Sequence, residues 1–113
     1  MRTQWKYFRT LKTQEKYVEG RPNFPSYRNL APGDIIRFKC GNRECDRVIV
    51  AVHVYGNVKE MLLASKVQAC LPHLSQTDID KAVTEYHGLP CFKENVKRHN
   101  GVRAFTLQVS GKN

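Results

Sequence analysis

The sequence has no long apolar run. No stretch of its 113 residues approaches the roughly 20 apolar residues that are needed to cross a bilayer. The first residues, Met1 to Lys6, also lack the apolar run and the small-residue cleavage site of a secretory signal. These absences argue against a membrane protein and against export, and they predict an intracellular location, either cytoplasmic or nuclear.

Cysteine and histidine are few, and their spacing is wrong for a structural zinc site. Zinc ribbons need short paired knuckles, and no such pairs occur among Cys40, Cys45, Cys70, Cys91, His73, His87 and His99. His53 lies in an apolar run, where a histidine of the protein core is expected. We therefore expect free thiols in a reducing compartment, with no metal and no cofactor.

Acidic residues are also scarce. The chain has ten Asp and Glu residues and nineteen Lys and Arg residues, which gives a net charge of +9 and a pI near 9.7. A positive field around so small a protein attracts nucleic acid above all. The alternative is a protein-interaction domain that recognises an acidic partner.

The sequence contains no internal repeat, low-complexity segment or Gly/Ser linker. Its composition, 41% hydrophobic and 26% charged, is that of a folded globular protein rather than a disordered tail. A chain of this length can bury one core without disulfides or metal. We therefore expect one domain over residues 1–113, and the sequence leaves its oligomeric state open.

The first half of the chain predicts a helix followed by three strands. Trp5, Phe8 and Leu11 recur every three residues, which predicts an amphipathic helix over Thr3–Glu15 with Trp5 and Phe8 in the core. The predicted strands are Tyr17–Arg21, Ile35–Cys40 and Arg47–Tyr55. A proline-containing loop and a Pro-Gly-Asp turn separate the first two, and a hairpin connection separates the second from the third. Since both faces of the third strand are apolar, we expect it to be central in the sheet.

The second half predicts two helices and a last strand. The first helix covers Lys59–Ser65, and the second begins at the N-cap Thr77 and ends near His87 and Gly88, with Gly88 in a left-handed cap. Val102–Val109 alternates as a strand. This order predicts the α+β class, as a small curled sheet or barrel with helices at one side.

A charged cluster precedes the first turn. In a strand, Glu19 and Arg21 project to one face because the side-chain period is two, and Lys16 lies in the preceding turn, from which its stem reaches that face. Arg21 offers a planar fork for phosphate or a base edge, and Glu19 can orient either cation. The alternative is a surface salt bridge of about 0–1 kcal/mol.

The same residues carry a family resemblance. The chain resembles the activating signal cointegrator homology (ASCH) domain of the PUA-like superfamily in three features. They are the motif Lys-x-x-Glu-x-Arg at Lys16, Glu19 and Arg21, the later Gly33-Asp34 before a strand, and the late strand Val102–Phe105. The resemblance implies a small PUA-like β-barrel with flanking helices, a cleft lined by the three motif residues and a role in binding RNA. Gln14 stands where many members have glycine, and little chain precedes the first helix for an initial barrel strand.

One branch of that family implies an enzyme instead. Its small bacterial members resemble amidohydrolases acting on N4-acetylcytidine, in which the motif lysine activates a threonine and a helix glutamate assists. Lys16 matches the lysine, but Glu19 occupies the threonine position, and Glu85 is only a candidate for the helix glutamate, with a solvated helix residue as its ordinary interpretation. The resemblance thus leaves Lys16 and Glu19 as the catalytic candidates if the protein is a hydrolase.

Further basic residues could contact RNA. Arg37 and Lys39 share one strand face, and Tyr27 or Phe24 could stack a base beside them; the neighbouring cations are Arg28, Arg43 and Arg47. The alternative is a charged outer face that keeps the hairpin soluble. A late basic run is either a phosphate contact or a mobile loop. It consists of Lys93, Lys97, Arg98, His99 and Arg103.

Overall fold

A curled, half-barrel antiparallel sheet forms the centre of the protein. The computed structural model describes residues 1–109. The four strands are β1 (Val18–Pro22), β2 (Ile35–Cys40), β3 (Arg43–Tyr55) and β4 (Val102–Val109), and they lie in the order β1-β4-β3-β2. Because β3 lies between two strands, its predicted central position is confirmed. The predicted limits of β2 and β4 match the structure residue for residue.

Within the described residues 1–109, five helices flank the sheet. They are α1 (Trp5–Thr13), α2 (Val58–Ser65), α3 (Val67–Cys70), α4 (Ile79–His87) and α5 (Phe92–Arg98), with a short 3₁₀ turn at Pro25–Tyr27. The α+β class predicted from the sequence is therefore confirmed. No helix within residues 1–109 is long and apolar enough to cross a bilayer.

The two faces of the sheet bury separate cores. On one face, Phe8 and Leu11 of α1 pack against Phe38, Ile49 and Phe105. On the other face, the later helices and Tyr7 cover a second cluster, to which the sheet contributes Val18, Val102 and Ala104. The other large members of this cluster are Met61, Leu62, Leu71, Tyr86 and Phe92. The strand β4 serves both cores, since Ala104 faces the helices and Phe105 faces α1.

The predicted core position of Trp5 is wrong. Its side chain is 49% exposed, and the residues of α1 that are buried are Tyr7, Phe8 and Leu11. The indole stacks on Phe8, and the guanidinium of Arg43 lies 4.8 Å from its ring centre. A cation over the ring holds the aromatic side chain at the surface. His53, also expected in the core, is exposed as well, as are its strand neighbours Val50 and Val54.

Three predictions about the helices also need correction. The helix α4 begins at Ile79 with Asp78 as its N-cap residue, one residue later than the predicted N-cap Thr77, because the Asp78 carboxylate closes a turn on the backbone N–H of Ser75. Gly88 has φ −80° and is not left-handed. The segment around Lys97 is the helix α5 rather than a loop, and its aromatic residue Phe92 docks it in the core.

The turn between α1 and β1 places the motif lysine. Gln14 ends α1 in the left-handed region with φ +70°, a conformation that costs a residue with a side chain about 1–2 kcal/mol. The chain then returns, and the backbone N–H of Lys16 donates to the Thr10 carbonyl. The tight turn therefore forms here although the sequence has glutamine rather than glycine.

The segment before α1 runs alongside the edge of the sheet. The backbone N–H of Thr3 donates to the Lys39 carbonyl at 3.0 Å, and Lys39 donates back to Met1 at 2.8 Å. From the opposite edge strand β1, Arg21 Nη2 donates to the Arg2 carbonyl at 2.9 Å. This segment thus connects β1 with β2 and forms one wall of the cavity described next.

Candidate functional site

A cavity of about 220 Å³ lies beside the edge strand β1. The segment before α1, the strand β1, the end of α4 and the first half of α5 supply most of its lining, and Tyr7, Lys16, Phe24 and Leu71 complete it. Its apolar walls come from Phe24, Leu71, Leu89, Pro90 and Phe92. The predicted motif residues Lys16, Glu19 and Arg21 all line it.

Lys16 is buried, and each N–H donor of its ammonium group has a partner. Its side chain is 3% exposed, and Nζ donates to the carbonyls of Val18 at 2.8 Å and Cys70 at 2.7 Å. Nζ also lies 3.3 Å from Glu19 Oε1. An ammonium group has three N–H donors and no acceptor. Lys16 therefore has no donor left for a ligand.

Glu19 bridges the two cations of the motif. Its Oε2 accepts from Arg21 Nε at 2.6 Å, while its Oε1 faces Lys16. Burial alone would raise the pKa of the Glu19 carboxyl, but the charges of Lys16 and Arg21 and their hydrogen bonds together lower it. Because Glu19 is only 5% exposed, a surface salt bridge, the alternative considered for this motif, is wrong.

A second carboxylate lies across the cavity. Glu85 of α4, 18% exposed, accepts from the Tyr7 hydroxyl at 2.6 Å, and its other oxygen lies 2.7 Å from His73 Nε2. Lys6 Nζ is 3.4 Å away. Burial acts to raise the pKa of Glu85, but His73 and Tyr7 outweigh it, so the pKa is lowered. The helix glutamate considered for a hydrolase therefore lines the same cavity as Lys16.

Tyr86 also lines the cavity, and its hydroxyl is buried. It has no hydrogen-bond partner among the described nitrogen and oxygen atoms; its polar neighbour is the thiol of Cys70, which is a weak partner. A Cβ built on Gly20 would lie 3.6 Å from this hydroxyl and 2.6 Å from Met61 Sδ. Gly20 thus allows the strand to pack closely against Met61 and Tyr86.

The other predicted ligand residues lie outside the cavity lining. Tyr27 is half-buried and packs its ring edge-on against Phe24 and Phe105, and Arg28 is exposed on the following loop. Arg37 is paired with Asp46, and Lys39 is paired with Glu44. Arg28, Arg37 and Lys39 are not brought together with the motif in this cavity, whereas the Tyr27 side chain lies beside Arg21.

Arg47 was grouped with these surface cations, and that assignment is wrong. Its side chain is 2% exposed, and Nη1 donates to the Leu11 carbonyl at the end of α1. The late basic run is divided as well: Lys93, Lys97 and Arg98 are exposed on α5, whereas Arg103 donates to the Asn23 side chain.

The sequence interpretation missed Tyr7, Tyr86 and most of the apolar walls. A signal for Tyr86 was present, because Ala82 and Tyr86 are four residues apart and share the buried face of α4. No comparable signal points to Tyr7. The three-residue spacing in α1 marks its neighbour Phe8, which packs in the other core. Within residues 1–109, no group of three His, Cys, Asp or Glu residues could hold a metal ion.

Comparisons with known proteins identify the fold and a relative. No model of a known protein family matches the chain, and no curated protein matches it. The solution structure of protein PF0455 from Pyrococcus furiosus matches with a TM-score of 0.71 and 23% identity, covering 99% of this chain and all of the other, which shows the fold alone. The crystal structure of hypothetical protein PH0355 matches with a TM-score of 0.82 and 30% identity, covering 96% of this chain and 94% of the other. The chain therefore belongs to the same family as hypothetical protein PH0355.

Proposed function

We propose that this protein is an ASCH-like module that binds RNA or a nucleotide by taking one base into the cavity beside β1. The observation that carries the proposal is the buried Lys16, Glu19 and Arg21 cluster at an apolar cavity. Such a site combines flat apolar walls with a few fixed polar groups, which is typical of small-ligand pockets.

The charge of the protein supports a nucleic-acid partner. The net charge of +9 draws a polyanion to the surface, and exposed cations such as Arg2 and the half-buried Arg21 stand at the cavity. RNA readers commonly splay a single base into a pocket while cations hold its phosphates. The four free cysteines fit the intracellular location that we propose with this function.

A hydrolase is the second candidate, because Glu85 lies in the same cavity as Lys16. The committed Lys16 ammonium argues against it, since an amine activates a nucleophile only after it loses a proton. Both carboxyls have lowered pKa values, which also makes them poor proton donors near neutral pH. Incubation with N4-acetylcytidine and chromatographic analysis tests this candidate, and we expect no deacetylated product.

The binding proposal is tested with labelled single-stranded RNAs by fluorescence anisotropy. We compare Arg21→Ala with Lys59→Ala, which also removes one positive charge but at an exposed site outside the cavity lining. Loss of a directly contacting Arg costs about 1–3 kcal/mol, or roughly tenfold and more in affinity. We expect that loss for Arg21→Ala and less than about a twofold change for Lys59→Ala.

A second variant separates the role of the cavity from the stability of the motif. Asn95→Trp adds bulk at the half-buried cavity wall without altering the charged cluster, and we expect it to abolish binding while the thermal transition remains. Equal losses for Arg21→Ala and Lys59→Ala, or full binding by Asn95→Trp, would contradict the proposal. Pull-down of a protein partner that survives nuclease treatment would favour an acidic protein instead.

A further inference from the structure

A charged stripe with an exposed tryptophan runs along α1, outside the cavity lining. Trp5, Arg9 and Lys12 stand at positions i, i+4 and i+7, so they follow one another along one side of the helix. All three are exposed, whereas Phe8 and Leu11 are buried. Because tryptophan is highly buried on average in proteins, a half-exposed one on a basic stripe points to a contact surface.

The hairpin between β2 and β3 extends this surface and fixes the indole. The guanidinium of Arg43 lies 4.8 Å from the centre of the Trp5 ring. The ring also stacks on the buried Phe8, with a centroid distance of 6.0 Å and an interplanar angle of 24°. Since both neighbours hold the indole in place, little side-chain entropy remains to be lost when a ligand contacts it.

The positive charge of this surface is not offset by carboxylates. Within residues 1–109, Arg9, Lys12 and Arg43 form no ion pair with Asp or Glu. The carboxylates of the hairpin are engaged with other cations, Arg37 and Lys39. The surface is therefore complementary to a polyanion, and its exposed ring adds a contact for a flat group.

This surface and the cavity meet at the start of α1. Gln4 and Tyr7 both line the cavity, and Trp5 follows Gln4 directly in the chain. Because Trp5 and Tyr7 are two residues apart in a helix, they point to different sides of it. A strand that placed one base in the cavity would pass around the start of α1 to reach Trp5.

We propose that Trp5 and Arg43 form an external stacking platform for a further, unpaired base of the RNA strand, and that Arg9 and Lys12 contact its phosphates. The identity of the partner rests on the proposed function, whereas the surface itself lies outside the cavity. Readers of single-stranded RNA stack bases on aromatic rings and guanidinium planes. An acidic peptide matches the cations, but its carboxylates leave the indole without a ring to stack on.

The fluorescence of Trp5 tests the stacking directly, because it is the only tryptophan in the chain. We titrate the wild type with a single-stranded RNA, with an abasic strand of the same length and with polyglutamate. A base stacked on the indole quenches its emission, so we expect quenching by the RNA and not by the two polyanions without bases. Equal quenching by either of these would overturn the inference, since charge alone would then explain the signal.

A matched pair of variants measures what the ring contributes to affinity. Trp5→Leu keeps an apolar side chain over Phe8, and Tyr17→Leu makes the corresponding change at an exposed aromatic residue away from this surface. With labelled RNA we expect an affinity loss of about tenfold for Trp5→Leu and of less than about twofold for Tyr17→Leu. Equal losses in the two variants would contradict the platform. Thermal unfolding of both variants shows whether the fold is kept.

The cations are tested through the salt dependence, at exposed positions where truncation leaves the core intact. Arg9→Ala should reduce the slope of log affinity against log salt by about 0.7, the share of one phosphate on a single strand. Lys59→Ala, at an exposed site on α2, should leave the slope unchanged. An unchanged slope in Arg9→Ala would overturn the phosphate contact, even if Trp5→Leu failed to fold.

The same titrations separate this inference from the proposed function. If RNA affinity depends on Arg21 but not on Trp5 or Arg9, the platform is wrong and the proposed function survives. If affinity depends on Trp5 and Arg9 but not on Arg21, the platform stands and base binding in the cavity fails. If no RNA binds, both fail.

Discussion

At the scale of single residues, Glu19 determines whether the charged cluster is stable. It stands between Lys16 and Arg21, and all three side chains are buried or mostly buried. Two cations so close together in a poorly hydrated site would repel each other strongly without the carboxylate. The sequence motif therefore has a structural requirement as well as a candidate binding role.

We predict that Glu19→Gln, which keeps the shape of the side chain, lowers the free energy of unfolding by about 3–5 kcal/mol at neutral pH, because it leaves buried cations uncompensated. Urea denaturation measures this difference. Asp46→Asn is the matched control, since it breaks the exposed ion pair with Arg37 and should cost far less. An equal loss in the two variants would show that burial adds nothing to the Glu19 interactions.

The same variant carries a pH signature. The pKa of Glu19 is lowered from its ordinary value of 4.5, so its contribution is fully present above that value and is lost as the pH falls through the lower, folded pKa. We expect the stability gap between the wild type and Glu19→Gln to be constant from pH 7 to about pH 5 and to shrink in more acid solution. A gap that does not change with pH would contradict an ionised Glu19.

At the scale of elements, the end of α1 shows how a local conformation positions a functional residue. Gln14 adopts the left-handed conformation that turns the chain from α1 toward β1. Lys16 follows two residues later and is directed into the cavity. The helical pattern of α1 could not show this turn, because glutamine gives no signal for a positive φ.

We predict that Gln14→Gly raises the free energy of unfolding by about 0.5–1 kcal/mol, because glycine adopts this conformation without the steric cost while losing more backbone entropy. Gln14→Ala is the control, since alanine still carries a Cβ and should give no such gain. Denaturant titration of both variants measures the difference. Equal stability of the two variants would show that the conformation at this position carries no strain.

At the scale of the whole molecule, the positive field and the cavity have separate roles. The net charge of +9 is spread over helices, hairpin and loops, so it attracts phosphates without selecting a base. The cavity is lined by three cations and two carboxylates beside its apolar walls, and in the proposed function it selects a base by shape and hydrogen bonds. Attraction and recognition therefore respond differently to salt.

We predict that raising the salt from about 50 to 200 mM weakens single-stranded RNA binding by on the order of tenfold, as expected for about three neutralised phosphates. Affinity for a free nucleoside should change by less than about twofold, because no phosphate contact is involved. Parallel titrations in the same buffers test this. A nucleoside affinity that falls as steeply as that of RNA would show that charge, rather than the cavity, governs both.

How much the sequence could predict depends on the range of the interactions. The strands β2 and β4 were predicted with their exact limits, because alternation and turn residues are local signals. The position of Trp5 was not, because it depends on Arg43, which reaches the indole from the β2–β3 hairpin. The helix α5 was missed because its apolar residues, Phe92 and Val96, are few among charged ones.

By itself, the amino-acid sequence determined the α+β class, the positive charge and the shared face of Glu19 and Arg21, since composition and a two-residue period are properties of the chain. Only the tertiary structure decided that Lys16 and Glu19 are buried and that Glu85 and Tyr86 lie in the same cavity. The reason is distance along the chain: more than sixty residues separate β1 from the end of α4, and only packing against the sheet brings them together.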